Sequence, residues 1–205
     1  MTELELVHTV GHSNHPLVDF AALLQGHGVN AVADVRSNPF SRHAPQYNKA
    51  SLQAALRGRG IQYVFLGREL GARSSDPGCY IDGRVQYDRL AATELFQEGV
   101  RRILSGAETQ RIALMCAEKD PLDCHRTLLV ARRLVEVGAS VHHILADGAA
   151  EAHSEAMLRL LDKLGIQHPS LLRSTEELIA DALAKQEKRI AYVDAGLASL
   201  SGRSA

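Results

Sequence analysis

Between positions 116 and 126 the chain gathers Cys116, Glu118, Cys124, His125 and Arg126. A thiol can act as a nucleophile or a soft metal ligand. A carboxylate and an imidazole can exchange protons with a substrate. A guanidinium can clamp an anion or brace a loop. These residues fall between two patterned segments. The apolar run Ile112 to Met115 reads as a buried strand, and Leu128, Leu129, Val130, Leu134 and Val135 recur at helical spacing. Two of the three cysteines lie in this one strand-to-helix loop. The plainer account is a strand end and an ordinary helix start, with cysteines as small core residues and Arg126 bonded to Glu118 or to its own helix.

Spacing limits the chemistry. A phosphatase-type loop of Cys-x5-Arg is not met, because the sixth position after Cys116 is Leu122 and the first arginine is Arg126. Cys116, Cys124 and His125, with His12 to complete the set, offer metal ligands in a spacing that fits no common zinc pattern. Adjacent Cys124 and His125 would have to point the same way, which a helix start opposes. A third arrangement pairs the carboxylates Asp34 and Glu118 with His12, a carboxylate-oriented histidine able to activate water or a hydroxyl.

The elements that would position these residues alternate five times. Strands are expected at Leu6 to Gly11, Ala31 to Val35, Ile61 to Leu66, Ile112 to Met115 and Ser140 to Leu145. Helices are expected after Pro16, over 49–58, from Tyr87 to Leu104, from the end of the cysteine loop to Val137, and from Glu151 to Leu164. Alternation of this kind predicts an α/β fold, a parallel-sheet three-layer (Rossmann-like) single domain over residues 1–165. Residues 166–205 form a C-terminal helical extension. In it, Ser174-Thr175-Glu176-Glu177 resembles a capping box that opens a helix to about Lys188. The extension could pack on the domain, swap between subunits to make a homo-oligomer, or bind a partner.

Function in parallel sheets collects at the carboxyl ends of the strands. Strand ends here carry His12 and Ser13, Asp34 and Arg36, Arg68, and Cys116 with Glu118. Because parallel strands point one way, these ends share an edge and are expected to meet in one cleft. His12, Asp34, Cys116 and Glu118 are the catalytic candidates. Ser13, Arg36, Arg42, Arg68, His125 and Arg126 are the candidates for substrate binding.

Charge adds a partner class. The chain has a net charge of −1, yet Arg36 to Arg73 holds seven basic residues against Glu69 alone. That imbalance predicts an anionic partner, a phosphate-bearing small molecule or a nucleic acid. Lys49, Arg57 and Arg59 read as the solvated face of a helix. Phe40, Tyr47 and Tyr63 stand near the arginines, but Phe40 and Tyr63 are expected to pack in the core. His142 and His143 are expected to be structural.

An apolar share of 45% with 23% charged residues is that of a soluble globular protein. No apolar run reaches the length of a membrane span, and the acidic Met-Thr-Glu-Leu-Glu start lacks the order of a signal peptide. An odd cysteine count gives no disulfide framework, so a cytoplasmic setting and no membrane partner are expected. The residues specify no cofactor.

Four ordered motifs carry a family resemblance: Thr9-Val-Gly-His-Ser13, Asp34-Val-Arg-Ser-Asn-Pro-Phe-Ser-Arg42, Leu66-Gly-Arg-Glu-Leu-Gly71, and Met115-Cys-Ala-Glu118 through Cys124-His-Arg126. Together they resemble the DUF488 family, a domain of unknown function, across residues 6 to about 165. The resemblance implies the α/β fold and a cytosolic, bacterial-type setting, and it implies no established reaction. The leading expectation is an enzyme acting on a phosphate-bearing substrate, nucleotide or nucleic acid. A non-catalytic nucleotide or nucleic-acid binding module comes second, and a Cys/His metal site third.

Overall fold

A computed structural model describes residues 6–170 and 172–201. In chain order its elements are β1 (Leu6–Gly11), α1 (Leu17–Gly26), β2 (Ala31–Asp34), α2 (Lys49–Arg57), β3 (Gln62–Phe65), the hairpin of β4 (Tyr80–Ile81) and β5 (Arg84–Val85), α3 (Tyr87–Ala91), α4 (Glu94–Ala107), β6 (Ile112–Cys116), α5 (Arg132–Glu136), β7 (Ser140–Ile144), β8 (Ala150–Ala152), α6 (His153–Lys163), α7 (Thr175–Ile190) and α8 (Ala195–Ser201).

Six strands form one sheet in the order β3-β2-β6-β1-β7-β8. The five strands expected from the sequence are all parallel to their neighbours. β8 is the exception, antiparallel to β7 at the sheet edge, where the sequence suggested the start of a helix. Its three residues are too few for an alternating pattern to register. The expected helix over Tyr87 to Leu104 is two helices, because Thr93 accepts a hydrogen bond from the Phe96 N–H (3.3 Å) and caps α4.

Helices cover both faces, which makes the three layers. Successive side chains of a strand point to opposite faces, and the buried residues divide accordingly. Ala31, Ala33 and Val35, with Ile112, Leu114 and Cys116, join the core beneath α3 to α7. Val32, Ala113, Met115 and Val10 join Phe20, Leu24, Leu52 and Leu56 beneath α1 and α2. The C-terminal helix belongs to the first core: Leu178, Ala182, Leu183 and Ala191 pack with the sheet-facing residues of α4 and α6. Its start is the capping box, with Ser174 Oγ accepting from Glu177 N (3.2 Å) and Glu177 Oε2 accepting from Ser174 N (2.9 Å).

One core expectation is corrected. Phe40 is 59% exposed, held out on the 37–48 loop beside Arg42. Tyr63 is partly buried, with its hydroxyl turned to Asp34 (2.7 Å). Among the described residues no helix is long and apolar enough to cross a membrane.

Candidate functional site

The register fixes where the strand-end residues stand. Gly11 pairs with Cys116, and Asp34 with Met115 and with Phe65, so these positions share the C-terminal edge of the sheet. Paired residues of parallel strands point the same way. Asp34 therefore lies on the Met115 face, toward α1 and α2, while Cys116 lies on the opposite face. The edge is common; the faces are not.

On the α1–α2 face the polar groups close on one another. Asp34 accepts from Arg36 Nε (2.9 Å), Arg36 Nη2 (2.6 Å), Arg36 N (3.1 Å) and the Tyr63 hydroxyl (2.7 Å). Arg36 Nη2 also donates to the Tyr47 carbonyl (2.8 Å), and its Nη1 donates to His12 Nε2 (3.2 Å). His12 Nδ1 donates to the Ser13 carbonyl (2.9 Å), which fixes a neutral tautomer, and the ring stacks on Tyr47 at 4.1 Å. Burial, reinforced by the Arg36 charge, lowers the His12 pKa to about 4, against the smaller pull of the Ser13 carbonyl. Asp34 is completely buried, as this fourfold bonding requires of a carboxylate out of water.

The other face holds the cysteine loop. Beyond β6 the loop runs beside β1, with His12 N donating to the Cys116 carbonyl (2.9 Å) and Ser13 N to the Ala117 carbonyl (2.9 Å). Gly11 makes this approach possible, because a Cβ there would overlap the Glu118 carbonyl oxygen. Asp120 caps the turn Pro121–Asp123 through Leu122 N (3.0 Å) and is held from outside by Arg159 (3.2 Å) and Lys163 (2.9 Å).

Cys124 then takes an extended conformation (φ −136°, ψ 141°) and His125 a helical one (φ −61°, ψ −25°). That change of backbone state turns both side chains toward Cys116, which a continuous helix would not do. His125 Nδ1 lies 3.7 Å from Cys116 Sγ and 3.9 Å from Cys124 Sγ. Its Nε2 donates to the Val35 carbonyl (3.0 Å), so the Nδ1 lone pair faces the sulfurs. Cys124 Sγ is 2.9 Å from Glu118 Oε2 and accepts from Arg126 N (3.4 Å). The segment Arg126–Ala131 that follows is a π-helical turn, a widened geometry that recurs at functional sites.

Arg126 is 1% exposed. Nη1 donates to the Glu118 carbonyl (2.7 Å) and Nη2 to that of Lys119 (3.3 Å), so the side chain holds the loop shape.

The charges of this cluster are tuned in opposite directions. A hydrogen bond with Cys124 and burial push the Cys116 thiol well above its ordinary value. Burial also opposes ionisation of Cys124, but the Cys116 hydrogen bond and the Arg126 and His125 charges outweigh it and lower this thiol. Glu118 is raised, by burial and then by Cys124, so the proton between them favours the carboxyl more than it would in water. Burial disfavours the His125 cation, yet Cys124, Glu118 and the Val35 carbonyl together raise it.

Cys116, Glu118, Cys124 and His125 line a cavity of about 260 Å³, together with Arg36, Ser37, Asn38, Arg73, Tyr87 and Tyr192. Of the other candidates, His12, Ser13, Asp34 and Arg126 do not line it, and Arg42 and Arg68 are exposed elsewhere. Sequence reasoning missed Ser37, Asn38, Arg73, Tyr87 and the tail residues Ile190 and Tyr192. Ser37 and Asn38 stood inside a quoted motif and Arg73 within the basic stretch, so those three had a signal.

The tail had none, because its place depends on packing. Gln186 Nε2 donates to the Leu122 carbonyl (3.0 Å) and Asp123 Oδ1 (2.9 Å), and Glu187 accepts from Tyr87 N (2.7 Å). The Tyr192 carbonyl accepts from Val85 N (3.0 Å), and Arg73 lies 4.6 Å over the Tyr192 ring.

The class defined by this fold and site is a three-layer α/β protein with a cysteine–histidine–carboxylate cluster opening at the carboxyl edge of a parallel sheet. The model of the family described as "Domain of unknown function DUF488" matches residues 16–133, and the chain belongs to that family. The match spans the sites from Asp34 to Arg126 and ends before β7. Comparison with curated proteins and with solved structures finds no match.

Proposed function

We propose that this protein is an enzyme acting on a small phosphate-bearing substrate in the cavity beside Cys116, Glu118, Cys124 and His125. The observation that carries the reading is convergence: four groups able to do chemistry, Cys116 at the end of β6 and Glu118, Cys124 and His125 from the loop that follows, line one cavity. Cys116 and Cys124 are 3% and 1% exposed, yet with Glu118 and His125 they still line the cavity.

Glu118, with its raised pKa and its bond to Cys124, is the group that moves a proton. Arg73, Ser37 and Asn38 supply a cation and polar atoms to hold a phosphate. His12, Asp34 and Arg36 act as positioning residues, holding the β1 and β2 ends between which the loop lies. Ligand pockets generally exceed about 300 Å³, so a cavity of about 260 Å³ suits a phosphosugar or the reacting end of one nucleotide better than a duplex.

Thermal melting with inorganic phosphate, ribose 5-phosphate and mononucleotides tests the reading. A ligand at about 100 times its Kd stabilises the fold by about 2.7 kcal/mol. Arg73→Ala is expected to remove that shift. Glu118→Gln is expected to keep it and to abolish consumption of the ligand followed by chromatography. If no phosphate-bearing compound shifts the melt, the substrate class is wrong.

A second reading has one observation of its own. Phe40, exposed beside Arg42, offers a stacking face next to a cation, as non-specific single-strand binders use. Fluorescence anisotropy with short single-stranded DNA and RNA tests it, with Phe40→Ala expected to weaken binding if the loop is the contact.

A further inference from the structure

We infer, resting on the same cavity as the proposed enzyme, that Cys116, Cys124 and His125 form a three-ligand site for a zinc-type divalent metal whose fourth position opens to the substrate. Their donor atoms all lie within 4.8 Å of one another. In a tetrahedral zinc centre, bond lengths of about 2.3 Å to sulfur and about 2.0–2.1 Å to nitrogen put neighbouring S and N donors about 3.6 Å apart. The separations here are 3.7 Å and 3.9 Å. They are long for hydrogen bonds and close to the edges of a coordination tetrahedron.

The surroundings match what a metal site needs. Ligating histidines commonly donate the second ring N–H to a carbonyl or carboxylate, which fixes the tautomer. His125 Nε2 does this to Val35, leaving the Nδ1 lone pair toward both sulfurs. The Arg126 N–H reaches Cys124 Sγ and favours its thiolate. Two thiolates and a divalent cation sum to zero, so the metal and its three ligands carry no net charge among themselves. Catalytic zinc sites keep three protein ligands and one open position, and here all three ligands line the cavity.

Glu118 stands outside the triad, with Oε2 2.9 Å from Cys124 Sγ and its side chain in the same cavity. It would take the proton of a metal-bound water. One O–H bond breaks, the proton goes to the carboxylate, and the electron pair stays on oxygen as a nucleophilic hydroxide. No oxidant or reductant is required.

The backbone switch from extended Cys124 to helical His125 is the feature that makes adjacent ligands compatible. The spacing objection raised from the sequence holds for a continuous helix, and this segment is not one.

Cobalt(II) titration of the full chain, reduced and freed of metal by a chelator, tests the site without an activity assay. The expected result is one equivalent bound per chain, with a thiolate-to-cobalt charge-transfer band and intense tetrahedral d–d absorption that zinc bleaches. About two protons should be released per metal. Cys116→Ser and Cys124→Ser should each weaken cobalt binding by more than about 100-fold. Cys79→Ala, whose sulfur lies in the apolar core outside the triad, should leave the titration unchanged.

Circular dichroism checks that each variant is folded, and His125→Gln carries the same test if a serine variant is not. Folded wild-type protein without a charge-transfer band overturns the inference. So does a band that survives in both Cys116→Ser and Cys124→Ser. A protein stabilised by phosphate that binds no cobalt defeats the metal site alone. Cobalt binding with no response to any phosphate-bearing ligand upholds the metal site and defeats the substrate class alone.

Discussion

Two polar clusters stand at the same edge of one sheet and behave as opposites. Asp34, Arg36, His12, Tyr47 and Tyr63 form a closed set in which the carboxylate, the guanidinium and both ring nitrogens of His12 have partners. Cys116, Glu118, Cys124 and His125 form an open set that lines a cavity. In the first, burial and the Arg36 charge hold His12 neutral; in the second, the neighbouring anions favour the His125 cation. Burial is similar in the two, so burial alone does not mark a functional site. What separates them is access to the cavity: every member of the second set lines it, whereas of the first only Arg36 does.

The contrast is sharpest under mutation. Asp34→Ala leaves the Arg36 guanidinium buried without its counter-ion and is expected to cost about 3–5 kcal/mol of stability, measured by urea unfolding. A loss under about 1 kcal/mol would mean that the closed set is not holding the strand ends. Tyr63→Phe removes one bond to a charged partner and should cost about 1.5 kcal/mol. Cys124→Ser in the open set should change stability by less than about 1 kcal/mol while abolishing turnover, because functional residues are commonly not the stabilising ones. A destabilisation by Cys124→Ser as large as that of Asp34→Ala would erase the difference.

The two histidines should also respond to pH with opposite signs in the metal-free protein. The folded-state pKa of His12 lies at about 4, below the unfolded 6.5. Between these values the unfolded chain binds more protons, so the contribution of His12 is complete above pH 6.5 and is lost as pH falls toward 4. The His125 pKa is raised, so its contribution is complete below 6.5 and is lost as pH rises through the folded value. Unfolding free energies of His12→Gln against wild type should converge at acid pH, and NMR titration of the two imidazoles should show His125 protonated where His12 is neutral. The smallest effect is expected from Arg42→Ala and Arg68→Ala. Exposed and away from the cavity, they should leave both ligand-induced melting shifts and stability within about 0.5 kcal/mol of wild type.

Much of this was legible in the chain. The order of strands and helices followed from apolar periodicity, and the capping box at Ser174 marked the start of α7. Cys116 to Arg126 could be singled out as a candidate site from its residue types alone, and the structure gathers four of its side chains at one cavity. Less legible was which strand-end residues share a space. All four strand ends reach one edge, and that led to a single cleft containing His12, Asp34, Arg42 and Arg68. Strand parity sets Asp34 apart, because it pairs with Met115, one residue before Cys116, and so faces the other way, while Arg42 and Arg68 lie on loops beyond the strands. That rule needs the register, and the register comes from strand pairing that one sequence does not display.

By itself the sequence determined the alternating α/β order, the strand-to-helix loop carrying two thiols, a carboxylate and an imidazole, and the family motifs around them. These are local properties, set by periodicity and by residue type. The tertiary structure decided the rest. It chose the face on which each polar residue lies, brought Tyr192 and Ile190 of the C-terminal segment to the cavity wall, and turned the adjacent side chains of Cys124 and His125 onto one point. Each of those outcomes depends on register, on long-range packing, or on a backbone change between two consecutive residues. None is encoded in residue spacing, because spacing predicts direction only while the backbone repeats.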